Sequence, residues 1–416
     1  MGQRDHVKLV TLKDIIEARQ RIQRLVPPTP MKESKYLETL TGIRTFLKLE
    51  NLNISGSFKI RGAANALLQA SPSDLKQGVV CASAGNHAQG VAHTCRQLGA
   101  KAAIFMPERT PLVKVEATRN LGGDVYLGGE TYDDAYQEAK KYQAIHGGIF
   151  VHPFADAAVV AGQGSIGLEI LEQLEDVGVV FVPVGGGGLA SGIAAAIKET
   201  NPKIAVIGVE TVQYPAMKRS HEAGCIVTTE TRASIADGIA VKRVDPLTFE
   251  MTRKYLDDVV LVEEEEIASA VMVLMERDHI LAEGAGAVPA AALVKSIPRW
   301  KALVGNKKAV LVISGGNIDV NLLNRITAKG LIYSGRMMRI RVQIKDRPGS
   351  LSNLLNVVGK AGANLIEVKH NRLAGGSQYE LVEVELDLET SNIGHQERIR
   401  AALEQEKYPV ESIKAD

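Results

Sequence analysis

PVGGGGLASG, Pro183–Gly192, follows the apolar run VVFV and leads into the helical pattern SGIAAAIKE. Without side chains, the backbone N–H groups of Gly185, Gly186, Gly187 and Gly188 can converge on an anion. The helix N-terminus adds its partial positive charge. Four glycines left flexible between a strand and a helix would carry a large entropic cost, so the run reads as an anion cradle. It lacks the Gly-Lys-Ser/Thr ending of a nucleotide-binding loop and suits a single phosphate group.

Outward from this junction, from about residue 45 to 320, the same pattern repeats. GVVCAS, KAAIFMP, GDVYLGG, KIAVIGVE and KAVLVISGGN are short β-rich runs, each followed by a turn and an amphipathic segment. Apolar runs alternating with helices predict an α/β fold with mainly parallel sheets, ligands binding beyond the carboxyl ends of the strands. After about residue 325 the pattern changes. AKGLIYSGR reads as a connector, and residues 337–416 read strand, helix, strand, strand, helix, strand, with AGG as the hairpin turn. That order is a ferredoxin-like βαββαβ plait. The expected organisation is a catalytic unit over 1–325, a smaller subdomain at about 50–155 inserted in it, a linker at 326–336 and a second domain at 337–416.

The chain has 416 residues, and Lys+Arg 49 against Asp+Glu 48 gives a formal net charge of +1. Such neutrality favours neither nucleic acid nor an anionic membrane as partner. Three widely spaced cysteines form no metal knuckle or redox pair, so a reducing cytoplasmic setting and no metal are expected. No secretory signal is visible at the N-terminus, and His6 spoils a myristoylation motif at Gly2.

Other strand-end motifs carry chemistry. In ISGSFKIRGAANAL, Ile54–Leu67, Lys59 lies between Phe58 and Ile60. Apolar neighbours disfavour the ammonium form, and a neutral, well-placed amine can bond a carbonyl. A lysine stem packed on apolar surface accounts equally well for Lys59 taken alone. SAGNHAQG, Ser83–Gly90, opens a helix after a strand, and Ser83 and Asn86 stand where ligand and helix start meet. A structural role suits His87 better than a base. Ser314 ends the strand AVLVI, where its hydroxyl can reach a ring nitrogen. GQGSIG, Gly162–Gly167, matches a dinucleotide fingerprint, but no core strand precedes it and no acidic residue follows about twenty positions on. It reads as a glycine-tolerant helix start. Glu263–Glu266 reads as a solvated helix cap. Glu210 and Glu283 are left open as polar wall or ion ligand.

The lysine motif, the Ser-Ala-Gly-Asn-His turn, the tetraglycine and the terminal Ser-Gly-Gly, in that order, resemble the fold type II pyridoxal-phosphate enzymes. Among these the chain resembles the threonine dehydratases (threonine ammonia-lyases). DRPGSL, Asp346–Leu351, resembles the loop-to-helix motif of ACT regulatory domains. The resemblance implies pyridoxal 5'-phosphate as cofactor, Lys59 bonded to its aldehyde, Phe58 beside its ring and Asn86 on its 3'-oxygen. Gly185 to Gly188 and Leu189 would hold its phosphate, and Ser314 would meet its pyridine nitrogen. Ser83, Ala84, Gly85, Asn86 and His87 would bind substrate, with Ser83 counted among the catalytic residues. Ala84 stands where related serine racemases carry a proton-handling serine, which argues against racemisation. The implied reaction converts L-threonine to 2-oxobutanoate and ammonia, with activity on L-serine. L-Serine or 3-hydroxyaspartate dehydration is the alternative within the family. Asp346, Pro348, Gly349, Ser350 and Leu351 would bind an amino-acid effector in a homo-oligomer, dimer or tetramer. The rivals from other classes are an NAD-dependent dehydrogenase, resting on GQGSIG, and an amino-acid-binding regulator without catalysis.

Overall fold

The computed structural model describes residues 8–372 and 380–412. The AGG turn and the Gly2 and His6 positions lie outside the described residues. In the first unit, Met1–Ile318, the strands are β1 (Met31–Glu33), β2 (Thr45–Leu49), β3 (Val79–Ala82), β4 (Ala102–Met106), β5 (Gly123–Leu127), β6 (Ile149–Phe150), β7 (Val177–Pro183), β8 (Ala205–Thr211), β9 (Asp258–Val262) and β10 (Lys308–Ile313), with Val-rich runs in β3, β7, β9 and β10.

They make two sheets. The larger has the order β1-β2-β10-β7-β8-β9, the smaller β5-β4-β3-β6. Every pairing is parallel except β1 with β2. All seven residues of β7 and of β8 are buried, as a sheet covered by helices on both faces requires. Each sheet has its own apolar core.

Three helices meet close to the cradle. The Lys59–Leu68 helix packs on Ala157–Gln173, which packs on Gly188–Thr200. GQGSIG lies inside the middle helix, not at its start, because Asp156 caps that helix six residues earlier by accepting from the Ala158 and Val159 amides. Its glycines serve the helix crossings. A Cβ at Gly162 would fall 2.6 Å from the Arg61 carbonyl oxygen, and one at Gly192 would fall 2.6 Å from the Gly164 nitrogen.

The second unit, Asp319–Asp416, begins with a helix, Val320–Tyr333, capped by Asp319. The stretch expected as a linker, 326–336, is therefore mostly helical. An Asp cap starts the helix, Gly330 is tolerated within it, and Gly335 at φ 70° turns the chain after it. The strands β11 (Met337–Lys345), β12 (Asn364–Asn371), β13 (Leu381–Glu389) and β14 (Val410–Ser412) form an antiparallel sheet in the order β12-β13-β11-β14. Helices Ser350–Lys360 and Ile393–Gln405 cover one face, over Ile340, Val342, Val384 and Leu386. This is the expected βαββαβ plait.

Candidate active site

β10 runs parallel to both β2 and β7, so the chain segments leaving all three begin side by side. The segment after β2 carries Lys59, the one after β7 carries the glycines, and the one after β10 carries Ser314. Backbone bonds stitch the first to the last: Phe58 N–H donates to the Ser314 carbonyl at 3.0 Å, and Gly316 N–H to the Gly56 carbonyl at 2.9 Å. The smaller sheet adds the turn after β3, where Ser83 and Asn86 open the helix Asn86–Leu98. A cavity of about 790 Å³ lies between these loops. Lys59, Ser83, Asn86, Gly185–Gly188 and Ser314 all line it, as do Phe58, Ala84, Gly85, His87 and Leu189. The expected cofactor and substrate residues of the first unit thus share one cavity.

Lys59 is the first residue of its helix, and its Nζ donates to the Pro153 carbonyl at 2.9 Å. Burial pulls its amine down to about 8, against the opposing pull of Glu283. The Phe58 ring centroid lies 5.2 Å from Nζ. The cradle cannot carry side chains. A Cβ at Gly186 would lie 2.3 Å from the Phe154 ring, and Gly187, at φ 89°, caps the helix that Gly188 begins. The amides at this helix start have no partner further up the helix and are available to an anion.

Asn86 is held from both ends. Its Nδ2 donates to Glu283 Oε1 at 2.7 Å, and its Oδ1 accepts from Asn317 Nδ2 at 2.8 Å. This fixes the amide's orientation and leaves one N–H for a ligand. Burial, then the Asp237 carboxylate, push Glu283 up to about 7. Glu283 is thus a wall of the site. Glu210 is elsewhere, accepting from the Met217 and Lys218 amides at 2.9 and 2.8 Å. His87 is structural. Its Nε2 bonds the Val151 carbonyl at 2.9 Å, and burial and Lys59 pull the ring down to about 3. Ser83 Oγ accepts from the Gly85 amide at 3.2 Å.

Sequence reading missed Asn317, Phe154 and the final role of Glu283. Asn317 directly follows the Ser-Gly-Gly turn and was the most accessible of the three. Phe154 had no signal, because its partners are glycines some thirty residues away in the chain. At the mouth, Lys114 and Asp237 form a 2.8 Å ion pair. In the second unit the Asp346–Leu351 loop is largely exposed, and Gly349 at φ 87° caps the following helix.

A family model described as pyridoxal-phosphate dependent enzyme matches residues 22–315, more than half of the chain. The chain belongs to the pyridoxal-phosphate-dependent enzymes. A second model, ACT domain, matches 335–413. The L-threonine ammonia-lyase of Thermotoga maritima is 48% identical, covering 97% of this chain and 100% of that protein. The L-threonine ammonia-lyase of Geobacter sulfurreducens is 44% identical, covering 96% and 98%. Threonine deaminase isoform 2 of Solanum lycopersicum, in its processed form, superposes with a TM-score of 0.73 at 35% identity, covering 77% of this chain and 95% of that one. The residues present fit pyridoxal phosphate. A partly desolvated amine, an aromatic face, a hydroxyl and a cradle that a single Cβ would fill share one cavity. The plait of the second unit is the ACT domain of this pyridoxal-phosphate enzyme. Among the described residues, no helix is long and apolar enough to cross a membrane.

Proposed function

We propose that this chain converts L-threonine to 2-oxobutanoate and ammonia, and L-serine to pyruvate and ammonia. The observation that carries the reading is Lys59, with its lowered amine, in one cavity with the Gly185–Gly188 cradle. The identity to two L-threonine ammonia-lyases over nearly the whole chain supports threonine as substrate.

When bound, pyridoxal phosphate supplies an aldehyde for the substrate amine and a ring that withdraws electrons from Cα. The chain's residues do the rest. Amides of Gly185–Gly188 and Leu189 hold the phosphate, Phe58 packs on the ring, and the free N–H of Asn86 meets the 3'-oxygen. The Ser83–His87 turn holds the substrate carboxylate with its amides and the Ser83 hydroxyl. Lys59 Nζ, once displaced, is a neutral amine beside Cα and takes its proton. The β-hydroxyl would leave as water with the proton that Lys59 Nζ took from Cα, and the released enamine would tautomerise to an imine that water hydrolyses to the keto acid and ammonia. Ser314 meets the ring nitrogen with a hydroxyl, which does not hold a proton there as a carboxylate would, and this favours prompt elimination. Ala84 has no proton to give to the opposite face of Cα, which disfavours racemisation.

The ACT domain binds an amino acid at Asp346, Pro348, Gly349, Ser350 and Leu351, coupled to the active site by about 1–3 kcal/mol. The protein works as a cytoplasmic homo-oligomer. Among the described residues β12 lies at the edge of its sheet, with Ile366 56% exposed, which supports pairing of second units. Keto-acid release from threonine, serine and 3-hydroxyaspartate, with and without isoleucine, tests the reading. 2-Oxobutanoate formed much more slowly than pyruvate overturns the threonine preference.

A further inference from the structure

We propose that Gln163 is a further ligand of the cofactor's phosphate group, its carboxamide N–H closing the base of the glycine cradle. The inference rests on the cofactor reading above and adds a residue that the sequence reading assigned to no ligand, Gln163 of GQGSIG.

Gln163 is 1% exposed, yet neither Nε2 nor Oε1 has a hydrogen-bond partner. Buried carboxamides are nearly always paired, because a desolvated donor with no acceptor costs free energy that an apolar side chain of the same size would not. Gln163 also forms part of the wall of the cavity that holds Lys59 and Gly185–Gly188. Its place in the wall is specific. A Cβ at Gly62 would lie 2.5 Å from Gln163 Nε2, so the missing side chain at 62 leaves room for this amide. The next residue, Gly164, packs on Gly192, early in the helix that Gly188 begins. The carboxamide therefore lies against the first turn of the helix that starts at Lys59, in the wall of the cavity that the Gly185–Gly188 cradle also lines.

The helix start at Gly188 offers an anion amides that have no partner further up the helix, together with its positive dipole end. An N–H donated to a phosphate oxygen is a charge-assisted bond, stronger than one to a neutral acceptor. Such a ligand offsets the desolvation of Nε2. The four glycines of the two crossings, Gly62, Gly162, Gly164 and Gly192, bring the three helices close together.

The test uses the full-length chain depleted of cofactor, titrated separately with pyridoxal 5'-phosphate and with pyridoxal, which lacks the phosphate. Wild type is compared with Gln163→Met and Gln163→Glu. For Gln163→Met the expected result is a loss of phosphorylated-cofactor affinity of about 10- to 100-fold. Pyridoxal binding stays unchanged, and the melting temperature without cofactor is no lower than wild type. Gln163→Glu, nearly isosteric and negatively charged, loses more affinity for the phosphorylated form. A shifted phosphorus resonance of the bound cofactor in both variants is a second readout. Equal weakening toward both ligands, or toward neither, overturns the proposal, as does a Gln163→Met chain that melts well below wild type without cofactor. A wild type that binds neither ligand sinks the cofactor reading instead.

Discussion

Arg61 lies two residues beyond Lys59 on the same helix, fully buried in a cluster of four charges. Its Nε bonds Glu50 Oε2 at 2.7 Å, its Nη1 bonds Glu169 Oε1 at 2.5 Å, and its Nη2 reaches both carboxylates at 2.9 Å. Lys48 Nζ bonds Glu169 Oε2 at 2.5 Å. Two cations and two carboxylates cancel. Arg61→Met keeps the volume roughly constant and leaves Lys48 alone against Glu50 and Glu169. An uncompensated buried charge costs about 3–5 kcal/mol, roughly two to three and a half powers of ten in the unfolding equilibrium.

Urea unfolding followed by the fluorescence of Trp300, the only tryptophan and 1% exposed, reads the first unit directly. The pH dependence carries a sign. Burial alone would raise the Glu50 carboxyl, but Arg61, by its charge and its hydrogen bond, together with Lys48 and Thr29 holds it below its ordinary value. A depressed carboxylate contributes stability above the unfolded value, lost as pH falls through the folded one. In Arg61→Met, burial loses its main opposition and the carboxyl rises. The folded chain then holds a proton more tightly than the unfolded chain, so the deficit shrinks as pH falls from neutral toward the carboxylate range. The variant also retains less cofactor, because Lys59 stands on the loosened helix. A deficit below about 1 kcal/mol at neutral pH, or one independent of pH, refutes the argument that Arg61 compensates two buried carboxylates.

Lys59→Ala is expected to give a colourless protein with no keto-acid release; turnover in that variant would exclude Lys59 as the nucleophile. Because burial holds Lys59 down to about 8, cofactor incorporation into the depleted chain should speed up as pH rises through that value and level off above it, read by absorbance. Gly186→Ala places a Cβ 2.3 Å from the Phe154 ring, an overpacking worth about 1–3 kcal/mol, so cofactor affinity should fall by roughly 5- to 150-fold in the same titration.

The parallel sheets were legible because doubly buried strands are written as continuous apolar runs, and β7 and β8 carry no polar interruption before Glu210. The cradle and Ser314 were legible because each directly follows such a run, and Lys59 because it lies between the apolar Phe58 and Ile60. What escaped reading is set by contacts between distant segments. Glu283 is one acidic residue near a helix start until the helix Asn86–Leu98 brings Asn86, itself held by Asn317, against it. Phe154 matters only because Gly186 lies under its ring. The helix Val320–Tyr333 overlaps the stretch read as a connector, and the Asp319 cap that starts it lies upstream of that stretch.

Glycine does two opposed things in this chain, and spacing separates them. In the cradle the glycines are consecutive and directly follow a strand, so the backbone is bare where a ligand approaches, and φ reaches 89° at Gly187. In GQGSIG they are spaced inside a helix already capped at Asp156, and the backbone is bare where other helices approach. The second use places the first. Close crossings at Gly62–Gly162 and Gly164–Gly192 tie the helix of Lys59 to the helix that begins at Gly188. The distance between the amine and the anion cradle is thereby set through rigid helices and not through the loops that carry them. A larger residue at Gly162 or Gly192 would therefore disturb the site from outside it, by moving Lys59 relative to its phosphate anchor.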